Sequence, residues 1–268
     1  MVDRPYVPLS IKACGMAAQE RLPFLLAGTG TERAALEYGQ MARRVGVGLY
    51  LNSGMPGPMF EYLGKSAGAW GHFYTKCPEG SRVLGRFEPL LDAVACGDFG
   101  TLRAIDGAAA ALREPLEYEE EHLYARLLLA LSAGDADARG PEVEAVLERY
   151  TELNGGELRL AACKALHERD GAALAETASD FAESLVELLE EQVASGQYDM
   201  DHRATTGKVS VELVAWARLA SQRAVGWPHS LRLCPPTAVR FDLAGPVNAE
   251  GWKTFPIGGD LTPSGGGR

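Results

Sequence analysis

The 268-residue chain has little with which to cross-link itself and nothing with which to span a bilayer as a helix. Its five cysteines, Cys14, Cys77, Cys96, Cys163 and Cys234, are odd in number, far apart and without a Cys-x-x-Cys pair. That usage excludes a disulfide framework and fits thiols packed as small apolar groups in a reducing compartment. No run approaches the roughly 20 apolar residues needed to cross a membrane. Met1 to Lys12, interrupted by Pro5 and Pro8, lacks the apolar stretch of a secretory leader. A soluble, cytoplasmic chain that does not engage a membrane is expected. Basic charge is scarce too: 26 Lys+Arg stand against 36 Asp+Glu, a formal charge of −10 with pI near 5.1. Self-repulsion with phosphate makes such a chain a poor general ligand of nucleic acid or anionic lipid, and a basic partner fits better. The 31 Gly and 15 Pro fall far short of a collagen-like or low-complexity pattern.

What is present is enough apolar material, 46% of residues, to fill a core, and a very uneven charge. Residues 1–86 carry 10 basic and 6 acidic side chains, net +4; residues 87–201 carry 8 and 26, net −18; residues 202–268 carry 8 and 4, net +4. The acidic centre also avoids proline, with only Pro115 and Pro141 between Leu90 and Trp227, which favours helices. An apolar run ending in a turn and an aspartate recurs at Leu90–Asp98, Leu127–Asp135 and Leu160–Asp170, the aspartates 37 and 35 residues apart. This period matches helix-turn-helix repeats. Gly97 and Gly134 are suited to a left-handed helix end, and Asp98 or Asp135 to capping the next helix.

The fold class expected is mostly α: antiparallel hairpins resembling a helical-repeat, TPR-like array, with irregular N- and C-terminal segments. One helical domain covers 1–256, divided into an N-terminal helical and irregular part (1–86), the acidic repeat core (87–227) and an irregular wrap (228–256), followed by a flexible tail (257–268). Glu32 to Leu51 reads as helix, whereas 52–89, rich in Gly, Pro and aromatics, resists assignment. Pro115 suits the first turn of a helix through Leu123, Leu127, Leu128 and Leu131. From Thr177 to Ser195, Phe181, Leu185, Leu188, Leu189 and Gln192 share one face and Glu183, Glu187, Glu190 and Glu191 the other. Val209 to Ala224 repeats the helical spacing up to Gly226-Trp227-Pro228. A short strand is expected at Ala238 to Leu243.

Few combinations point to chemistry. Gly28-Thr29-Gly30 has Arg33 where a dinucleotide fingerprint needs its third glycine, so it reads as a turn between helices. Val45-Gly46-Val47-Gly48 is weaker still. His72 and Cys77 are near enough in sequence to suggest a base and a nucleophile, although a surface histidine and a buried thiol are the simpler reading. The histidines show no His-x-x-x-His spacing, and Asp199, Asp201 and His202, the one compact group of candidate ligands, read as a short polar loop. No carboxylate stands out as isolated in an apolar stretch. No catalytic residue, metal or cofactor is therefore expected.

Two acidic clusters carry the binding expectation. Glu117, Glu119, Glu120 and Glu121 sit where a helix starts and negative charge is favoured. Glu183, Glu187, Glu190 and Glu191 form a stripe with no Lys or Arg at i+4, an arrangement with a small folding cost and an advantage in steering a cationic partner. By residue type Tyr118, Tyr124, Tyr198 and Trp252 are candidate anchors inside that acidic ring. Tyr118, Tyr198, Asp199 and Asp201 complete the expected partner-binding set.

The region 88–240 resembles the immunity protein 49 family of bacterial polymorphic toxin and contact-dependent competition systems. The resemblance rests on Ala95-Cys96-Gly97-Asp98, the Ala133-Gly134-Asp135 turn after Leu127, and His167-Glu168-Arg169-Asp170. It continues through the amphipathic stretch 172–195, Ser210-Val211-Glu212, Gly226-Trp227 and Leu233-Cys234-Pro235. It implies a helical cytoplasmic protein that binds a cognate toxin or effector domain and occludes its active site without catalysis of its own. A helical-repeat scaffold or regulatory binding module is the alternative from the same features, and an enzyme built around His72 and Cys77 a third.

Overall fold

A computed structural model describes residues 6–112, 116–134, 138–197 and 199–256. Pro115, Asp135, Tyr198 and the tail 257–268, all singled out above, lie outside them. The described residues are mostly helical, as expected. They form α1 (Tyr6–Leu26), α2 (Glu32–Ser53), α3 (Pro56–Lys76), α4 (Glu88–Cys96), α5 (Phe99–Gly107), α6 (Glu119–Ser132), α7 (Gly140–Asn154), α8 (Leu158–Glu168), α9 (Gly171–Ala194), α10 (Met200–Ala204) and α11 (Val211–Gln222).

The N-terminal third is more regular than its composition suggests. Helix α3 occupies the stretch that resists assignment, with Pro56 at its first position, where no amide partner is lost. Glycine serves here as a packing residue. A Cβ on Gly46 of α2 would stand 2.9 Å from the Tyr62 Cβ and 3.0 Å from the Met59 carbonyl oxygen, so α2 and α3 meet backbone to backbone. The Gly28-Thr29-Gly30 segment is the turn between α1 and α2, with Gly28 at φ 68°.

Successive hairpins stack in α6, α7, α8 and α9, but α4 packs between its predecessor α3 and the distant α11. Nearest-neighbour stacking of a TPR-like array therefore describes only part of the molecule. The repeat's punctuation also differs from copy to copy. Gly97 is left-handed (φ 82°) and Asp98 caps α5 through the Thr101 amide at 3.0 Å. Gly134 is not left-handed; α6 ends instead on extended Ala133. In the third copy Arg169 takes the left-handed position and Asp170 caps α9.

In α9 the buried face is Leu174, Thr177, Ala178, Phe181, Ala182 and Val186, and Leu188 is exposed, contrary to its expected inward face. Beyond Val186 only Leu189 and Gln192 stay partly covered, so the last two turns of the helix pack lightly. The expected strand at Ala238–Leu243 is two 3-10 turns, Pro236–Val239 and Phe241–Leu243. The prolines and the absence of a pairing strand among the described residues account for that.

The C-terminal wrap is tied to α1, α2 and α3. The Lys65 ammonium, buried on α3, donates to the Gly251 and Thr254 carbonyls at 2.8 and 3.1 Å. The Tyr38 hydroxyl donates to the Trp252 carbonyl at 2.7 Å, and Phe255 sits edge-on to Tyr38 and Tyr62. Trp252 is buried against Gly68, which removes it from the candidate anchors.

Replacing Gly46 by Ala should destabilise the protein by about 1–3 kcal/mol in urea unfolding, because overpacking against α3 outweighs the helix propensity gained. Gly140→Ala, at a helical glycine with open space around it, is the control and should leave stability unchanged or slightly raised.

Candidate functional site

A groove runs across the face where α2, α4, α6 and α9 converge. Its first section, about 660 Å³, is lined by Glu32, Arg33, Glu37, Arg86, Glu88 and Glu121, with Arg43 and Ser66 below. Gln40, Arg43, Phe87 and Glu88 also line a second section of about 300 Å³, beside Arg44, Arg159, Leu188, Leu189 and Glu212. Leu189, Gln192, His202 and Leu233 carry the groove on to a third section of about 430 Å³, where Val186 and Val193 of α9 face Glu190, Lys208 and Arg232.

The floor is built on a carboxylate that the sequence reading passed over. Asp92 is fully buried, and the Arg43 guanidinium donates to both of its oxygens at 2.7 and 2.9 Å. The Ser66 hydroxyl donates to Oδ2 at 2.5 Å. Burial pushes the Asp92 carboxyl upward, opposed by Arg43 and Ser66. The signal was present: Asp92 interrupts Leu90-Leu91 and Ala93-Val94, an isolated carboxylate in an apolar run of the kind thought absent.

A second network closes the middle section. Arg159 of α8 donates to both oxygens of Glu212 on α11 at 2.7 and 3.1 Å, and the Tyr124 hydroxyl donates to the same carboxylate at 2.7 Å. Trp216 donates its indole N–H to the Tyr124 oxygen. Tyr124 is thus a buried structural residue, not an anchor for a partner.

The expected binding residues divide into two kinds. Glu117 is buried, accepting the Gly85 amide at 2.6 Å with His122 Nδ1 at 3.3 Å, and so is unavailable to a partner. Glu119 is held by Arg149 of α7 at 2.7 and 3.0 Å, and Glu183 by Arg232 at 2.7 Å. Asp199 caps α10 through the Asp201 and His202 amides and accepts from Arg44 at 2.6 Å. Against the cost of burial, the His202 amide and Arg44 hold its carboxyl below the usual range. Asp201, half-buried, lends its carbonyl to Thr205. The compact group of these three residues is therefore a helix start and not a loop, and no cluster of potential metal ligands occurs among the described residues.

The other kind is open. Glu120 and Glu121 are half-buried at the start of α6; burial raises the Glu121 carboxyl, opposed by Arg86. Tyr118 is 74% exposed at that helix start, beside exposed Leu116. Glu187, Glu190 and Glu191 are exposed and make no ion pair among the described residues, and Leu188 and Val193 are exposed between them. The groove thus links part of each predicted acidic cluster: Glu121 lines its first section and Glu190 its last. Glu88, exposed at the junction of the first two sections, went unnoticed because its role depends on neighbours from α2 and α9.

His72 and Cys77 have separate partners. His72 stacks on Trp252 with ring centroids 4.8 Å apart, and the Cys77 thiol donates to the Tyr74 carbonyl at 3.3 Å. Both are half-buried. No helix among the described residues is long and apolar enough to cross a membrane. The chain matches no protein-family model, no curated protein and no solved structure.

Asp92→Ala strands the Arg43 guanidinium and should cost about 3–5 kcal/mol in chemical unfolding, whereas Arg43→Met with Asp92→Leu should recover most of that loss. The groove also carries a pH dependence. Burial and the nearby Arg44 charge hold His202 below its ordinary value, with Asp199 opposing and Thr206 Oγ1 at 2.7 Å. The unfolded chain then binds the proton more readily, so this contribution is present above about pH 6.5 and is lost as pH falls from there. His202→Gln should flatten the slope of unfolding free energy between about pH 7 and pH 5.5.

Proposed function

We propose that this chain is a non-catalytic immunity protein that binds a cognate toxin or effector domain with a basic surface and occludes its active site. The reading joins the resemblance to the immunity protein 49 family with one observation. The solvent-facing end of α9 presents Glu187, Glu190 and Glu191 with no ion pair among the described residues, next to exposed Leu188 and Val193, and Glu190 and Val193 line the groove. A docking face uses both, the charge for encounter and the apolar groups for retention.

The chemistry of the pairing follows from what a toxin acting on nucleic acid or nucleotides must carry. Such a domain holds phosphate with Lys and Arg near its cleft, and an acidic helix competes for those same groups. The carboxylates already committed inside the fold, Glu117, Glu119 and Asp199, position the elements that frame the groove. Glu88, Glu121, Glu187, Glu190 and Glu191 remain for the partner.

The first test is the gene upstream, which should encode a secreted or repeat-containing protein ending in a toxin domain; co-expression should rescue cells from that domain. Soluble expression without rescue overturns the proposal. With the purified pair, Glu187→Lys, Glu190→Lys and Glu191→Lys together should slow association at least about tenfold at low salt and reduce its salt dependence. Unchanged rates would remove α9 as the steering surface.

A further inference from the structure

Helix α1 is apolar on both sides. One side, with Ile11, Cys14, Ala18 and Leu25, packs into the core, Ile11 lying against Gly48 of α2. The opposite side exposes Tyr6, Leu9, Met16 and Phe24, with Leu9 63%, Met16 53% and Phe24 57% accessible. Leu9 and Met16 are seven residues apart and so share a line along the helix. An amphipathic surface helix reserves its outer side for polar groups, and a helix apolar all round is a buried one. Nothing among the described residues covers this side of α1. The tail 257–268 offers only Ile257 and Leu261 as large apolar side chains, too few for the stripe.

The exposed charges on the stripe identify the occupant. Lys12 and Glu20 are exposed, and each is four residues from Met16, on opposite sides of it; within the subunit Glu20 accepts from its neighbour Arg21 at 2.9 Å, an exposed pair of little net worth that exchanges at small cost. A two-fold axis through Met16 that runs α1 antiparallel to a second α1 brings Lys12 level with Glu20 of the partner subunit, and does so twice. The stripe then buries itself, Met16 meeting its own copy at the axis. A 21-residue helix is about 30 Å long, so this side covers a few hundred Å². That is less than a standard stable interface buries, so the pair is a weak one that forms with rising concentration.

We infer that the protein self-associates as a two-fold dimer through an antiparallel α1 pair centred on Met16, with Lys12 opposite Glu20 of the partner subunit. This surface is separate from the α9 groove and does not depend on the toxin reading. Sedimentation velocity of the full chain from about 1 to about 200 µM should show a monomer–dimer equilibrium. Met16→Glu places two carboxylates at the axis and should abolish the dimer. Lys12→Glu and Glu20→Lys should each weaken association at least about tenfold, and the double exchange should restore it, with circular dichroism confirming that each variant is folded. A monomer at every concentration, a dimer indifferent to the exchanges, or single losses that the double exchange does not repair would each overturn the inference.

Discussion

The arrangement of the groove depends on a charge placed where charge is least welcome. Asp92 on α4 has no access to solvent, and its partners come from two other helices, Arg43 from α2 and Ser66 from α3. A buried ion pair adds little net stability over well-packed apolar groups, yet separating its members is expensive. Any packing of α2, α3 and α4 that moves Arg43 off Asp92 therefore carries a large penalty. Three helices whose apolar contacts alone allow sliding are fixed at one register. Arg43 itself lines two of the three groove sections, so the residue that sets the register also sets the floor.

The same logic extends to the opposite wall. Glu212, Arg159, Tyr124 and Trp216 tie α11, α8 and α6 together through a continuous set of hydrogen bonds, and the Arg159 guanidinium lies over the Phe87 ring at 4.8 Å. Phe87 immediately precedes α4, so the two networks meet at the start of the helix that carries Asp92. Floor and wall are thus neutralised internally. What the middle segment leaves open at the rim is a few carboxylates, Glu88 of α4, Glu121 of α6 and Glu190 of α9.

Helices with strong periodicity were legible because burial repeats every three or four residues and caps are local: Asp98, Asp170 and Ser210 each accept an amide two or three residues ahead. Helix α3 was not, because Gly and Pro are read as breakers when the packing partner is unknown, and Gly68 earns its place only against Trp252, 184 residues away. The acidic clusters were visible, but their division into structural and open residues was not. Glu117 and Glu187 look alike in sequence, and only the distant Gly85 amide makes the first an interior group. Leu188 was placed on the inner face because the spacing continues past Val186, whereas the core ends there. Periodicity gives a phase; it carries no information on where the wall stops.

That early end of the wall has a physical consequence for recognition. The last turns of α9 stand between two sections of the groove, Leu188 and Leu189 facing the second and Val186, Leu189 and Val193 the third. Segments with few buried contacts open at low free energy, and after Val186 no side chain of α9 is fully buried. In the proposed complex its carboxylates would act at a distance, limited by a screening length of about 8 Å at physiological salt, and so govern encounter. Its leucines and valines would act only on contact and so govern dissociation, the step in which affinities of related complexes mostly differ. In the proposed complex, steering and retention would thus fall to different residues of one helix end, above the floor held by Asp92 and Arg43. The charge can change to suit a partner's field without disturbing the apolar contacts that hold it.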